Sequence, residues 1–200
     1  MKKFVILFLC LLPLGLWSCG DDQEDVLPNQ QKKIVSFLTS SHSPRLVAEK
    51  DAKKDEQQPF YTDFFGSAYR YIDEYYNPVR PNWKEVTAQS KITLTYSCHI
   101  FEFRAISDRD VPYFTNNPQW EEAFKEAGLT EGVLTFTPQP IDMAHPNILK
   151  GLYHALIGCR EGDMGEVYMT YNMAYGDDDN FGLIPKESPI AIFFTVNSVE

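Results

Sequence analysis

The sequence predicts an α+β domain in which a curved antiparallel sheet wraps a short α-helix. Two observations predict this class. Several segments alternate apolar and polar residues, as half-buried strands do, and one stretch near residue 150 has apolar residues at helical spacing. The chain has 200 residues, of which 44% are hydrophobic and 14% aromatic. This composition is globular, and the length suits one domain with additional segments.

Residues 1–18 have the features of a signal peptide and not of the folded domain. Lys2 and Lys3 precede an apolar run that ends at Trp17 and is too short for a comfortable membrane span. The run is followed by Ser18 and Cys19, and Leu16-Trp17-Ser18-Cys19 resembles a bacterial lipobox. Cleavage there would leave Cys19 as a lipid-bearing N-terminus. The alternative is an ordinary secretory signal followed by a chance cysteine.

An acidic cluster over residues 20–25 follows Cys19 directly. It resembles the signal with which some Gram-negative lineages export lipoproteins to the cell surface, and the alternative is a solvated tether. We therefore expect a lipid-anchored protein of the Gram-negative cell envelope, at the outer membrane or exposed on its surface. Removal of Lys2 and Lys3 with the signal changes the net charge from −10 to −12. Such a charge argues against nucleic acid as a partner and against basic patches for anionic lipid.

The segment 19–59 is expected to contain a tether and one short helix. Ile34, Phe37 and Leu38 lie at i, i+3 and i+4, which predicts an amphipathic helix over residues 30–39. Residues 40–58 are polar and include a charge run, so they predict a mobile connection or a weak strand.

Strand-like alternation begins near residue 64. It predicts a strand in which Phe65, Tyr69 and Tyr71 alternate with the polar residues Arg70 and Asp73. A second predicted strand has Ile92, Leu94 and Tyr96 on one face and continues through residue 103.

A helix is signalled between residues 117 and 128. Asn117 can cap it, Pro118 suits the first turn, and Gly128 suits a left-handed stop. We interpret residues 108–132 as an insertion, after which Val133 and Phe136 resume a strand.

The last third of the chain predicts one helix and two strands. Ile148, Leu152 and Leu156 lie at i, i+4 and i+8, and Gly158 ends the helix. Alternation then predicts one strand with Val167, Met169 and Tyr171 on a face, and a final strand with Ile190, Ile192, Phe194 and Val196 on a face.

The landmarks of this last third resemble those of FKBP-type peptidyl-prolyl isomerases. They are the helix opening Ile148-Leu149-Lys150-Gly151-Leu152, the turn at Gly162, Ala174-Tyr175-Gly176, Ile184-Pro185 and the closing strand. The resemblance is good over residues 146–196, moderate over 64–107 and poor between them. It implies an FKBP-like domain over residues 60–200, with the 108–132 helix inserted in the flap.

The resemblance also implies a site. Its catalytic positions would be Tyr96, Tyr175 and the backbone N–H of Leu149, with the tyrosine hydroxyl and the N–H as donors to substrate carbonyls. The implied partners are proline-containing segments of proteins, and no cofactor or metal is implied. The remaining pocket lining would be Ile106, Phe136, Ile148, Leu152, Ile184 and Ile192.

Several positions depart from the family pattern. Ile106-Ser107 stands where the family has Phe-Asp, and Asp108 comes one residue late, which turns a strand side chain to the opposite face. Leu152 replaces the tryptophan of the pocket floor, and Ile192 replaces an aromatic residue. Two functions therefore stay open, an isomerase of Xaa-Pro bonds and a non-catalytic FKBP-like module that holds a peptide, glycan or partner protein. A third interpretation is that the insertion covers the pocket of a purely structural domain.

Other chemistry has weak signals. Cys98 and Cys159 can form a disulfide in an oxidising envelope or remain as free buried thiols. The run 177–180 (Asp-Asp-Asp-Asn) suggests calcium superficially, but it lacks the spaced ligands of an EF-hand. The four histidines show no metal-ligand spacing.

Overall fold

The computed structural model describes residues 25–129, 135–177 and 184–200. Within them, the α-helices are α1 (Val26–Ser40), α2 (Glu121–Glu126) and α3 (Lys150–Leu156). The strands are β1 (Val47–Ala48), β2 (Phe60–Phe64), β3 (Ala68–Ile72), β4 (Lys91–Ile100), β5 (Phe114–Thr115), β6 (Gln139–Asp142), β7 (Met164–Met169) and β8 (Ile190–Val199). Short 3-10 turns cover Glu49–Asp51, Lys54–Glu56, Arg80–Asn82, Pro118–Trp120 and Tyr171–Met173.

The strands form one open, mostly antiparallel sheet. Its order is β1-β2-β3-β7-β8-β4-β5, and β6 also pairs with β4. The β1–β2 pair is parallel, whereas the other pairs are antiparallel. This arrangement confirms the mixed α+β class with an antiparallel sheet and few helices.

The two longest strands, β4 and β8, pair along their whole lengths at the centre of the sheet. Alternation decides which side chains face each layer. Ile190, Ile192 and Phe194 of β8 belong to the core on the α3 side, while Ala191 belongs to the core on the α1 side. The sheet is therefore covered by a helix on each face.

Helix α3 lies against β2, β3 and β7. Leu152, Ala155 and Leu156 are 4%, 0% and 0% exposed, so the predicted apolar stripe faces the sheet. The close approach depends on Gly151, because a Cβ there would lie 2.9 Å from the sulfur of Met169. The helix begins at Lys150, two residues later than the sequence pattern suggests.

Helix α1 covers the other face of the sheet. Ile34, Phe37 and Leu38 are at most 3% exposed, as their spacing predicts, and burial of each is worth about 2 kcal/mol. Gln30 ties the helix to the domain, since its Nε2 donates to the carbonyl of Glu187 (2.7 Å) and its Oε1 accepts from the N–H of Tyr171 (3.0 Å). The sheet that follows residue 60 thus shares a core with a helix from the segment 19–59.

Three local expectations differ from the structure. Phe65 lies in the β2–β3 turn with φ +60° and not in a strand, because Phe65, Gly66 (φ +65°) and Ser67 form the three-residue loop between Phe64 and Ala68. Tyr171 begins a 3-10 turn after β7. Phe136 precedes β6, which starts at Gln139. The inserted helix is present as the Pro118–Trp120 turn and α2, and the Asn117 side chain caps it by accepting from the Gln119 N–H.

Candidate functional site

The structure brings seven of the nine pocket residues implied by the resemblance to one apolar core, between α3 and the sheet. Leu152, Ile184 and Ile192 are buried members of this core, at 2–4% exposure. The other four are partly buried and pack against it, and they are Tyr96, Ile148, Leu149 and Tyr175. We call these four residues the aromatic rim. At the rim the core reaches solvent near the start of α3.

Tyr96 and Tyr175 stand on either side of a buried thiol. The hydroxyl of Tyr175 is hydrogen-bonded to Cys98, two residues from Tyr96 on β4. Burial first, and then Cys98, raise the pKa of Tyr175, and burial raises the pKa of Tyr96 as well. Phe114 of β5 adds a third ring, whose centroid is 6.5 Å from that of Tyr175. Both hydroxyls therefore stay protonated at neutral pH and can donate hydrogen bonds.

Leu149 precedes the first turn of α3 and has extended backbone angles (φ −56°, ψ 139°). Its carbonyl accepts from the N–H of Tyr153 at 2.9 Å. Its own N–H meets no acceptor among the described residues, as is usual for the first N–H groups of a helix. A backbone donor is consequently available beside the aromatic rim.

Ile106 and Phe136 lie elsewhere. Strand β4 ends at Ile100, and the chain then crosses to the α1 side, where Phe101 is buried and Ile106 packs against that core. Phe136 packs on Phe124 of α2, with ring centroids 5.7 Å apart. The resemblance implied a pocket position for Ile106, whereas the structure places it on the α1 side of the sheet.

Three further expectations concern cysteines and metal ions. Cys98 and Cys159 are free and buried, so the structure has no disulfide between them. In the described part of the chain, no group of three or more His, Cys, Asp or Glu side chains could hold a metal ion. Cys19 and residues 178–180 of the acidic run lie outside the described residues.

Within residues 25–129, 135–177 and 184–200, no helix is long and apolar enough to cross a membrane.

A large cavity on the α1 side of the sheet was not predicted from the sequence. It is a cleft of about 410 Å³ beside the C-terminal end of α1, which leaves this end of the sheet uncovered. We call it the α1-side cleft. It is lined by Phe37, Ser41, His42, Ser43, Tyr71, Asp73, Thr95, Tyr96, Ser97, Ala105, Ile106, Ser107, Asp108, Asn117, Met164, Gly165, Glu166, Phe193, Phe194 and Thr195.

A buried histidine and a glutamate meet in this cleft. Nε2 of His42 lies 2.9 Å from Oε2 of Glu166, and the same oxygen accepts from the hydroxyl of Tyr168 at 2.6 Å. Nδ1 of His42 faces the carbonyl of Pro44 at 2.5 Å. A carbonyl can only accept, so Nδ1 must be the donor in that contact.

The surroundings of His42 favour the imidazolium form. Burial alone lowers the pKa of His42. The hydrogen bond and charge of Glu166, together with the Pro44 carbonyl and the charge of Asp73, raise it by more than burial lowers it, so the pKa is higher than the ordinary value. Both ring nitrogens then donate, which satisfies a side chain that is 3% exposed. The pair His42–Glu166 thus fixes the segment after α1 on the centre of the sheet.

One sequence signal could have pointed to this cleft. Glu166 sits inside β7, on the face that carries Tyr168 and opposite to Val167. A charged residue on the buried face of a strand requires a partner. Its partner His42 is 124 residues away in the chain, so no local spacing could identify it.

No family model matches this chain, and no curated protein sequence matches it.

Proposed function

We propose that this chain is a lipid-anchored envelope protein with an FKBP-like domain, which binds Xaa-Pro segments of proteins and accelerates their cis–trans isomerisation. The observation that supports the proposal is that Tyr96, Tyr175, Ile148 and Leu149 are all partly buried and pack against the same apolar core. These residues come from β4, the segment after β7 and the start of α3. Together they combine an apolar surface with two hydrogen-bond donors.

The chemistry needs no strong acid, base or metal. The barrier to rotation is about 18–20 kcal/mol because the amide has partial double-bond character. An apolar surface disfavours the planar, polar ground state relative to the twisted one. Donors on the neighbouring carbonyls hold the peptide while the bond turns, and Leu149 N–H and the Tyr175 hydroxyl would have this role.

A second candidate function is a non-catalytic peptide-binding module with the same fold. It is favoured by the hydrogen bond between the Tyr175 hydroxyl and Cys98, which a substrate carbonyl would have to replace or share. It is also favoured by the positions of Ile106 and Phe136, which contribute nothing to the rim. A rim with fewer aromatic residues has less surface for a proline ring.

The experiment is a proline-limited refolding assay with the full-length protein and the variant Tyr175→Phe. Uncatalysed isomerisation takes tens to hundreds of seconds, so acceleration is easily measured. We expect the wild type to accelerate refolding and Tyr175→Phe to reduce the effect several-fold. Tyr113→Phe, a change at a tyrosine that is 43% exposed, is the matched control and should keep the wild-type rate.

Three outcomes separate the alternatives. An equal rate for Tyr175→Phe and the wild type would remove Tyr175 from the site. No acceleration, together with saturable binding of a proline peptide that perturbs Tyr96 and Tyr175, would select the binding module. No acceleration and no binding by a folded protein would overturn both functions.

A further inference from the structure

We infer that the α1-side cleft is a second ligand site, which takes a guanidinium or ammonium group such as an arginine or lysine side chain of a peptide. The inference does not depend on the proposed isomerase function, because its carboxylates, Asp73, Asp108 and Glu166, are not part of the aromatic rim, of which only Tyr96 also lines the cleft. The cleft volume of about 410 Å³ is in the range of sites that bind small ligands.

The first argument is the sign of the charges. Asp73, Asp108 and Glu166 line the cleft, and the described lining residues include no lysine or arginine. His42 is the one basic side chain among them, and it is paired with Glu166. The net charge of the lining is therefore negative, as is that of the whole chain at −10. An anionic ligand would be repelled, whereas a cation would be attracted.

The second argument is that the hydroxyl groups of Thr95 and Ser97, which form the floor of the cleft, have already used their hydrogens. The Thr115 hydroxyl donates to the carbonyl of Tyr96, so the Ser97 hydroxyl must donate in its 2.9 Å contact with Thr115. The Thr95 hydroxyl likewise donates to Asn197 at 2.9 Å. Because both hydroxyl hydrogens are used, the hydroxyl oxygens of Thr95 and Ser97 can only accept a further hydrogen bond.

The carboxylates add acceptors to this floor. Glu166 uses Oε2 for His42 and Tyr168, and its Oε1 receives no hydrogen bond from the described residues. Among the described residues, the carboxylate of Asp73 accepts a hydrogen bond only from the Tyr71 hydroxyl, at 3.3 Å from Oδ1. Both nitrogens of His42 are occupied. The two carboxylates thus supply acceptors to the cleft, which suits guanidinium and ammonium groups because these groups donate and never accept.

The third argument is the aromatic lining. Phe37, Tyr71 and Phe193 border the cleft, and Phe193 stands on β8 between the polar side chains of the floor. The face of an aromatic ring attracts a cation within about 6 Å of its centroid. A ring combined with carboxylates favours an arginine side chain, whose planar group can stack and donate at once.

The test is a calorimetric titration of the full-length protein with N-acetyl-arginine amide. The matched ligand is N-acetyl-citrulline amide, which has nearly the same shape and no charge. We expect saturable binding of the arginine compound and at least tenfold weaker binding of the citrulline compound. Binding should weaken between 50 and 500 mM salt, since Asp73 and Asp108 are exposed to solvent.

Two variants locate the site. Asp73→Asn with Asp108→Asn should weaken binding about tenfold, whereas Asp55→Asn, a change at an exposed carboxylate outside the cleft, should not. Thr195→Arg would place a guanidinium of the protein itself in the cleft and should abolish binding. Thr93→Arg is its control, because Thr93 is half-buried on β4 outside the cleft.

Several results would overturn the inference. They are equal binding of the arginine and citrulline compounds, unchanged binding by the double variant or by Thr195→Arg, and the absence of binding. Binding of a neutral oligosaccharide in the cleft, without binding of the arginine compound, would assign the cleft to another ligand class. Tyr175→Phe should leave arginine binding unchanged, which distinguishes failure here from failure of the isomerase proposal.

Discussion

Nε2 of His42 and Oε2 of Glu166 lie 2.9 Å apart and join the end of α1 to the central strand β7. Both side chains are largely removed from water, with 3% and 22% exposure. The ring of His42 also packs edge-on against Phe37 and Tyr71. One contact thus combines an ion pair, a hydrogen bond and aromatic packing at the border of the α1-side cleft.

Replacement of His42 by alanine should lower the free energy of unfolding by about 3 kcal/mol, because it leaves the partly buried carboxylate of Glu166 without its cation and removes the packing of the buried ring. Urea unfolding followed by circular dichroism measures this change. His145→Ala, at an exposed histidine, is the control and should shift stability by less than about 0.5 kcal/mol. A similar small shift for His42→Ala would contradict the structural role of the pair.

The same pair should make stability depend on pH. The pKa of His42 is higher in the folded than in the unfolded protein, so the folded state binds this proton more tightly. The stabilisation is complete below the unfolded pKa near 6.5 and is lost as pH rises through the raised folded pKa. Unfolding curves at pH 6 and pH 9 should show a loss in the wild type that is smaller in His42→Ala. Parallel losses in both proteins would assign the effect to another group.

The sequence indicated the helices and most strands because each has a local signal. The spacing of Ile34, Phe37 and Leu38 indicated α1, and Asn117 with Pro118 indicated the helical insertion. It failed where a turn decides the conformation, as at Phe65. Bulky residues seldom adopt φ +60°, and Phe65 does so beside Gly66, where the Asp63 side chain accepts from the Gly66 N–H at 2.7 Å.

The candidate sites were less predictable than the fold. Most of the implied pocket lines one core because alternation along β4 and β8 already separates inward from outward side chains. Ile106 was placed in the pocket by the resemblance alone, and it lies on the α1 side because β4 ends at Ile100 and the chain then crosses to that side. The α1-side cleft depends on contacts between distant segments, such as His42 with Glu166, and on how far α1 extends over the sheet. No pattern within one segment contains that information.

Arg70 should stabilise the end of α3. Its Nη1 donates to the carbonyls of Ala155 (2.6 Å) and Ile157 (2.8 Å), where the helix leaves carbonyl groups without partners. The guanidinium also lies 5.3 Å from the ring centroid of Phe64. Arg70→Met keeps the apolar stem and removes the donors, so it should cost about 2 kcal/mol in urea unfolding.

The control for Arg70→Met is Arg104→Met, at an arginine whose side chain is 75% exposed and which should not affect stability. Hydrogen exchange gives a second measurement, because amides of α3 should exchange faster in Arg70→Met than in the wild type. Unchanged exchange in α3 would show that Arg70 does not hold this helix end.

Both buried thiols should be unreactive in the folded protein. Burial raises the pKa of Cys98 to about 12 and that of Cys159 to about 11, so neither forms appreciable thiolate at pH 8. Iodoacetamide at pH 8 should therefore leave both unmodified in the native protein and modify both in 6 M guanidinium. Mass spectrometry of the peptides reports each site, and rapid native modification of Cys98 would contradict its burial under Tyr175.

The proposed lipid anchor depends on Cys19. Each buried methylene of an acyl chain contributes about 0.8 kcal/mol to membrane binding, so a multiply acylated N-terminus should remain in the membrane fraction. Cys19→Ser removes the acylation site, and we expect the variant in the soluble fraction after lysis and centrifugation. Cys10→Ser is the matched control, because it changes a cysteine of the apolar run and leaves residues 16–19 intact. Continued membrane retention of Cys19→Ser, or a wild type found only in the soluble fraction, would reject the lipoprotein proposal.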